Sequence, residues 1–373
     1  MLTEVVLPGL VEPEGLRLRT RPLPETGPGQ ALVEVEASGV SFAEQQMRRG
    51  KYYDQPPFPF VPGYDLVGRV TATGAGVDPA LRGRRFAVLT KTGGWATHTL
   101  VDAGDLVAVP EEVGAAEAET VVVNGITAWQ MLHRMAKVRS GATILVLGAN
   151  GGVGSTLVQL ARHAGIRVIG TASPRHHGAV RTLGAIPLDY RDPDLPARVR
   201  ELAPGGVDAV FDHVGGEGIV DSFRLLARGG TLVSYGTAAT RDVPGSSRAP
   251  VLKLFARLLL WNLLPNGRRA HFYNLWAGRR RLAGYQARVR ADLGQVLELL
   301  ASGDFSAQVA ARIPLTEAPK AMRLAESGTV TGKVVLVTGA TGVTEEAAGH
   351  RAAEGGPRLV DGSAGRTGGE GPR

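Results

Sequence analysis

Behind the β-rich run Thr143-Ile144-Leu145-Val146-Leu147 comes Ala149-Asn150-Gly151-Gly152-Val153-Gly154, and behind that a stretch with the apolar spacing of an amphipathic helix. Strand, glycine turn and helix in that order suit the diphosphate of a dinucleotide and imply a nicotinamide cofactor. Ala149 stands where the first glycine of the fingerprint usually does. Gly151 is expected to let the backbone approach the diphosphate, and Gly154 to let helix and strand pack closely. Asn150 and Gly152 of the turn, with the free N–H groups that open the helix from Val153, are expected to meet the negative charge. A glycine cluster can also be a purely structural turn. Its place between an apolar strand and an amphipathic helix favours the cofactor.

The end of the next strand selects the form of that cofactor. NAD binders usually carry an acid there for the ribose hydroxyls, whereas a 2′-phosphate asks for hydroxyl and cationic groups. After Val168-Ile169-Gly170 come Thr171, Ala172, Ser173, Pro174 and Arg175, and no acid appears before Asp189. Ser173 can donate a hydrogen bond, and the planar fork of Arg175 can pair with a phosphate, so NADPH is favoured over NADH.

A chain of 373 residues with 43% hydrophobic and 21% charged residues can bury a large core and form two domains. The opening MLTEVVLPGL lacks the charged start and apolar core of a signal peptide, and no apolar run reaches the length of a membrane span. The absence of cysteine excludes disulfides, a thiolate nucleophile and every cysteine-liganded zinc site, which fits a cytoplasmic protein. The pI near 9.9 accompanies an Arg-, Ala- and Gly-rich composition and no known nucleic-acid motif, so no nucleic-acid partner is expected. Between Val251 and Arg290 lie nine Lys or Arg residues and no acid, more than the formal +7 of the chain. The same segment carries Leu252, Phe255, Leu258, Leu259 and Trp261 to Leu264 at roughly helical spacing. A basic amphipathic helix can lie on an anionic membrane. A helical insertion packed over the active-site cleft is the favoured alternative, so membrane contact is not expected.

Stepping from these groups to the elements that carry them, the first hundred residues are short β runs broken by Gly and Pro, the mark of a compact β domain. A helix at 121–135 leads into the strand–helix alternation of a parallel sheet, and Lys333 to Val337 is the last strand. From Ala340 onward large apolar residues nearly vanish, so 341–373 is expected to be a disordered tail.

Seven stretches then stand in the order of one family: SGVSFAEQQMRRGKYY at 38–53, PGYDLVGRV at 62–70, GANGGVG at 148–154, LDYRD at 188–192, VFDHVGG at 210–216, RGGTLVSYG at 228–236 and TGKVVLV at 331–337. Over residues 1–340 the chain resembles the zinc-independent quinone oxidoreductases of the medium-chain dehydrogenase/reductase superfamily. The resemblance implies an α/β fold in which a Rossmann doubly wound parallel sheet is inserted in a GroES-like β-rich catalytic domain. The implied limits are 1–120 completed by 288–340 for the catalytic domain, and 121–287 for the Rossmann domain with the basic insertion at 251–287. It also implies a homodimer joined through the Rossmann sheets, here at an edge near Leu232 to Tyr235.

Zinc alcohol dehydrogenases of that superfamily hold their catalytic metal with a cysteine and a histidine where this chain has Ser41 and Tyr64, neither a usual zinc ligand. No metal is therefore expected. Negative charge developing on a carbonyl oxygen must then be met by hydrogen-bond donors, which suits hydride delivery to a quinone or an α,β-unsaturated carbonyl compound. Enoyl reduction of acyl thioesters is the alternative, and a membrane-associated non-catalytic member of the fold a further one. By resemblance Tyr52 is the first candidate donor, with Tyr53 beside it and Ser41 and Tyr64 facing the same cleft. Asn124 and Thr127 approach the nicotinamide half, Tyr190 the adenosine phosphate, and Gly215, Gly236 and Lys333 complete the implied cofactor set.

Overall fold

Glu34 is exposed between buried Val33 and Val35, the period of two that a strand shows when one face lies in a core. That strand is the centre of the first of two large sheets. The computed structural model describes residues 1–236, 238 and 248–339, with backbone alone for 248–251; the tail expected at 341–373 lies outside the described residues. The first part of the chain forms β1 (Leu2–Val6), β2 (Arg17–Arg21), β3 (Gln30–Val40), α1 (Phe42–Arg48), β4 (Asp65–Thr73), β5 (Arg85–Leu89), β6 (His98–Asp102) and β7 (Val107–Ala108). Next come α2 (Ala115–Trp129), β8 (Thr143–Val146), α3 (Gly152–His163), β9 (Arg167–Ala172), α4 (His177–Leu183), β10 (Ala185–Asp189), α5 (Leu195–Leu202), β11 (Val207–Asp212), α6 (Ile219–Arg224) and β12 (Leu226–Ser234). The last described elements are α7 (Arg248–Asn262), β13 (Arg269–Phe272), α8 (Leu282–Ala301), β14 (Val309–Pro314), α9 (Ala318–Glu326) and β15 (Lys333–Val337).

The seven-stranded sheet runs β14-β15-β3-β4-β5-β7 with β6 also on β3. The two strands on one side, β14 and β15, come from the far end of the chain: β15 pairs antiparallel with β3, Val334 opposite Val40 and Val337 opposite Ala37. The six-stranded sheet is parallel in the order β10-β9-β8-β11-β12-β13, the doubly wound order that reverses between β8 and β11 and opens a crevice at their carboxyl ends. Alternate residues of its strands serve opposite faces. Ile144, Val146, Phe211 and Val233 join the core beneath α2 and α3, whereas Leu145, Val210 and Leu232 join the core beneath α5, α6 and α7. The expected limits at 120/121 and 287/288 both fall inside continuous helices, α2 and α8, which act as struts where a boundary would need a loop.

Two expectations need correction. The helical part of the basic insertion does not cover the cleft: α7 buries Leu254 and Leu258 on the sheet face away from α2 and α3, and Trp261 stacks on Phe223 at 4.3 Å between centroids. Its cations are engaged, since Lys253 and Arg257 both reach Glu217 at 2.6 and 3.0 Å. The edge of the parallel sheet is not Leu232 to Tyr235 either. β13 occupies that side, with Thr231 opposite Arg269 and Ser234 opposite Phe272. Among the described residues no helix is long and apolar enough to cross a membrane.

Phe223, buried and stacked on Trp261, anchors α7, whereas Leu259 is 64% exposed. Phe223→Ala is expected to lower unfolding stability by about 3–5 kcal/mol, and Leu259→Ala by less than about 0.5 kcal/mol. Denaturant titration of both variants checks this. Equal losses would mean that the outer face of α7 is covered in solution.

Candidate active site

The glycine turn begins one residue earlier than its fingerprint suggests. Gly148 has φ +70°, and a Cβ there would run into the His213 ring, so this position demands glycine. The signal for it was the glycine that directly follows the apolar strand. Gly148 N–H donates to Thr171 Oγ1 at 3.1 Å, Ala149 N–H to Thr171 O at 2.9 Å, and Gly151 N–H to Gly148 O at 3.0 Å. The helix opens at Gly152 rather than Val153, and Ser155 N–H is the first to reach back, to Gly151 O at 2.8 Å. The amides of Gly152, Val153 and Gly154 thus have no carbonyl of their own helix to meet, which makes an anion site. Around Gly151 the space is open, a Cβ meeting only Gly148 O at 3.4 Å. At Gly154 a Cβ would overlap that same carbonyl, so the turn and the helix pack here without room for a side chain.

Other candidates gather at the carboxyl ends of the same strands. Asn124 lies against Gly152, where a Cβ would come within 2.5 Å of its Nδ2, and its amide is held by Thr120 O at 2.9 Å. Ser173 and Arg175 follow β9. Arg175 donates to Gly328 O and, at 3.2 Å, to His176 Nε2, leaving part of its five-donor fork for a ligand. Tyr190 follows β10, half exposed, with the Arg191 guanidinium 5.1 Å from its ring centre. Gly215 donates to Asp212 Oδ1 at 2.8 Å, and Gly236 backs onto the His213 carbonyl. Asp212 is a turn holder, also accepting from Val214 N–H and Ser222 Oγ. His213, absent from the expected set, packs against the turn with Nδ1 3.0 Å from Leu147 O. Burial lowers its pKa, so it sits there neutral.

The tyrosines form a connected group. Tyr52 Oη and Tyr64 Oη are 2.7 Å apart, and the indole N–H of Trp276 donates to Tyr64 Oη. Tyr53 Oη donates to Asn274 Oδ1 at 3.4 Å. Tyr273, buried behind them, donates to Gln130 Oε1 at 3.0 Å and lies within hydrogen-bonding reach of Thr127. Burial pushes the Tyr52 and Tyr64 phenols upward, so both are protonated donors at neutral pH. Ser41 is a correction. Its hydroxyl donates to Glu44 Oε2, its oxygen takes Ala43 N–H at 3.1 Å, and Glu44 Oε2 takes Ser41 N–H at 2.9 Å. This capping box opens α1, so Ser41 has no free proton to offer an acceptor.

Comparison with known proteins agrees with this architecture. Residues 27–111 match the alcohol dehydrogenase GroES-like domain, and residues 183–336 the zinc-binding dehydrogenase family. The human synaptic vesicle membrane protein VAT-1 homolog is 31% identical over 351 residues, covering 91% of this chain and 87% of the relative. The quinone oxidoreductase from Thermus thermophilus, whose structure was solved alone and with NADPH, superimposes with a TM-score of 0.71 at 31% identity, covering 90% of this chain and 99% of that one. The chain belongs to the medium-chain dehydrogenase/reductase superfamily. The phthioceranic/hydroxyphthioceranic acid synthase of Mycobacterium tuberculosis is 33% identical over 322 residues, 85% of this chain but 14% of that much longer relative.

The name of the matched family, zinc-binding dehydrogenase, raises the question of fit. The hydroxyl of Tyr64 is engaged by Trp276 and Tyr52, and that of Ser41 by Glu44. Among the described residues no group of three His, Cys, Asp or Glu could hold a metal ion. The residues present do not fit a zinc centre.

Lys333 is the second correction. It opens β15 but is buried, 4% exposed, with Nζ 2.6 Å from Asp65 Oδ2, 2.7 Å from Glu119 Oε1 and 3.5 Å from Glu119 O. All three ammonium hydrogens are engaged, leaving none for a cofactor phosphate. Burial alone would lower its pKa, but the two carboxyls outweigh that and hold it above the usual lysine range. Burial, then the charge of Asp65, pushes Glu119 well above 4.5. Asp65 Oδ1 and Glu119 Oε2 are both buried without a partner, and a proton on Glu119 directed at Asp65 satisfies both atoms.

Lys333→Met should therefore destabilise the fold by about 3–5 kcal/mol in denaturant unfolding, because it strands Asp65 in the core. Glu119 takes up its proton on folding, so its contribution is full below 4.5 and is lost as pH rises through its elevated folded value. Glu119→Gln should flatten that decline, with Glu44, raised first by burial and then by Asp65, supplying what remains. Unfolding midpoints across pH for the two proteins check the slope.

Proposed function

We propose that the protein is an NADPH-dependent oxidoreductase that delivers hydride to a quinone or an α,β-unsaturated carbonyl compound without a metal ion. The observation that carries this reading is the pair of neutral phenols, Tyr52 and Tyr64, with their hydroxyl oxygens 2.7 Å apart. NADPH, when bound, supplies the hydride. The amides of Gly152 to Gly154 and the open face at Gly151 hold its diphosphate. Ser173 and the spare donors of Arg175 take the 2′-phosphate, and Asn150, Tyr190, Gly215 and Gly236 line the adenosine side. Asn124 and Thr127 border the nicotinamide half. Tyr52, partly exposed, donates to the acceptor oxygen as charge develops there. The NADPH complex of the Thermus relative supports the choice of cofactor.

Enoyl reduction of acyl thioesters uses the same donors on a longer substrate, and the similarity to the mycobacterial synthase favours it as the second reading. A vesicle-bound, non-catalytic role, to which the name of the human relative points, is served poorly by α7. Leu252, Leu259 and Leu260 are exposed on it, but Lys253 and Arg257 share the carboxylate of Glu217, which leaves one net positive charge among the three. With the enzymatic reading go a cytoplasmic location and a homodimer joined along the outer edge of β13, a strand edge that calls for a partner or cover. The proposed domain limits shift to the ends of α2 and α8.

Loss of NADPH absorbance with a panel of quinones, small enones and enoyl thioesters tests the function, and no turnover with any of them refutes it. Tyr52→Phe should lower kcat for enones about 100-fold with little change in KM for NADPH. Arg175→Ala should raise KM for NADPH far more than for NADH, and equal effects would remove the phosphate assignment.

A further inference from the structure

Resting on the reductase reading, we propose that Trp276 is a positioning residue that sets the direction of a phenol relay, Trp276 to Tyr64 to Tyr52, so that Tyr52 presents its proton to the substrate oxygen. An indole N–H can only donate. Trp276 Nε1 therefore takes a lone pair of Tyr64 Oη and turns the Tyr64 proton toward its other neighbour, Tyr52 Oη, at 2.7 Å. Tyr52 then accepts from Tyr64 and has its own proton to give. Tyr64 is 6% exposed, whereas Tyr52 is only partly buried, so Tyr52 is the member that a ligand can reach. The Tyr53 ring lies 4.7 Å from that of Tyr52 between centroids, and its hydroxyl is turned to Asn274, which leaves the Tyr52 proton for a substrate oxygen.

The indole is held in place from several sides. The backbone N–H of Trp276 donates to Asn274 Oδ1 at 2.9 Å, which fixes the turn. The Arg279 guanidinium lies 5.0 Å from its ring centre, and the Tyr285 ring stacks at 6.3 Å and 23°. Such support lets a hydrogen bond act without reorganising during reaction. The basic segment between β13 and α8 thereby acquires a task in the site.

The step balances as follows. Hydride and its electron pair pass from NADPH to the electron-poor carbon, leaving NADP⁺ and a substrate anion. Tyr52 protonates that anion and takes the Tyr64 proton, and the remaining negative charge rests on Tyr64. There Trp276 N–H and Tyr52 O–H both donate to it, until water returns a proton. Burial raises Tyr64, and these two hydrogen bonds pull it back.

The test is Trp276→Phe, which keeps an aromatic ring and removes the N–H. Its kcat for an enone should fall about tenfold or more while KM for NADPH stays within about twofold. Rates in H₂O/D₂O mixtures should give a bowed proton inventory for the native enzyme and a linear one for the variant. Apart from turnover, the NADP⁺ complex of the variant should bind 4-nitrophenolate, a mimic of the substrate anion, about tenfold more weakly. A variant with native kcat, bowed inventory and native probe affinity overturns the relay and leaves the reductase reading standing. If the variant does not fold, a linear inventory in the native enzyme overturns the relay by itself. A native protein that turns over no acceptor fails the reductase reading and the relay with it.

Discussion

A lysine ammonium has no place in a protein interior unless carboxyls surround it, and Lys333 meets that condition with groups from two distant parts of the chain. Asp65 opens β4, Glu119 lies in α2, and Lys333 begins the last described strand. The cluster therefore ties the end of the chain to its first third and to the helix leading to the parallel sheet. Asp65 Oδ2 also accepts Val123 N–H at 3.0 Å, a polar tie added to the apolar packing of α2 on β4 and β5. The next residue is Asn124, against Gly152 of the glycine turn, and one turn further is Thr127. The buried ammonium and its carboxyls thus help to hold α2 beside the glycine turn.

The approach to Lys333 repeats the tie at the surface. Gly332 N–H donates to Asn150 O at 3.3 Å, Thr331 Oγ1 lies 3.1 Å from His176 Nδ1, and Gly328 O receives Arg175. One short segment before β15 thus touches the glycine turn and the end of β9, while β15 itself completes the other sheet. The glycine turn and the end of β9 are thereby held in register by a segment that belongs to neither. Lys333 follows directly on this segment, and its charge is spent internally.

How far the sequence foretold this differs from residue to residue. The glycine turn, the doubly wound sheet and the donors after β9 were legible because they rest on local order: strand, glycine, helix, strand. The return of the last strand to the first sheet came from the family resemblance. The task of Lys333 was not legible, because it depends on which carboxyls from distant parts of the chain lie beside it, whereas that of Ser41 was overlooked. Glu44 stands three residues after Ser41, the spacing of a capping box, and that signal was available. β13 was missed because Arg269-Ala270-His271-Phe272 carries too little apolar pattern to read as a strand. For α7, apolar residues occur on every side, so spacing could not tell the buried Leu254 and Leu258 from the bare Leu252 and Leu259. Trp276 was invisible as a functional group, since an indole acquires a direction only through what it donates to.

The departures from the zinc-dependent pattern are physically connected. Once tyrosine replaces histidine at position 64, the cleft loses a metal ligand and gains a phenol whose lone pairs need donors. Trp276 supplies one, and Tyr64 in turn hands its proton to Tyr52 in the relay proposed above. A divalent cation stabilises an oxyanion by charge held on the substrate from the start, whereas a chain of neutral donors strengthens only as charge develops. The second arrangement favours acceptors that become anionic during hydride transfer over alcohols that must lose a proton before it. The carboxyl of Glu44, which accepts Tyr64 N–H at 2.6 Å and closes the cap at Ser41, braces both former ligand positions at once. The same buried acid thus fixes the backbone on which this donor chemistry is mounted.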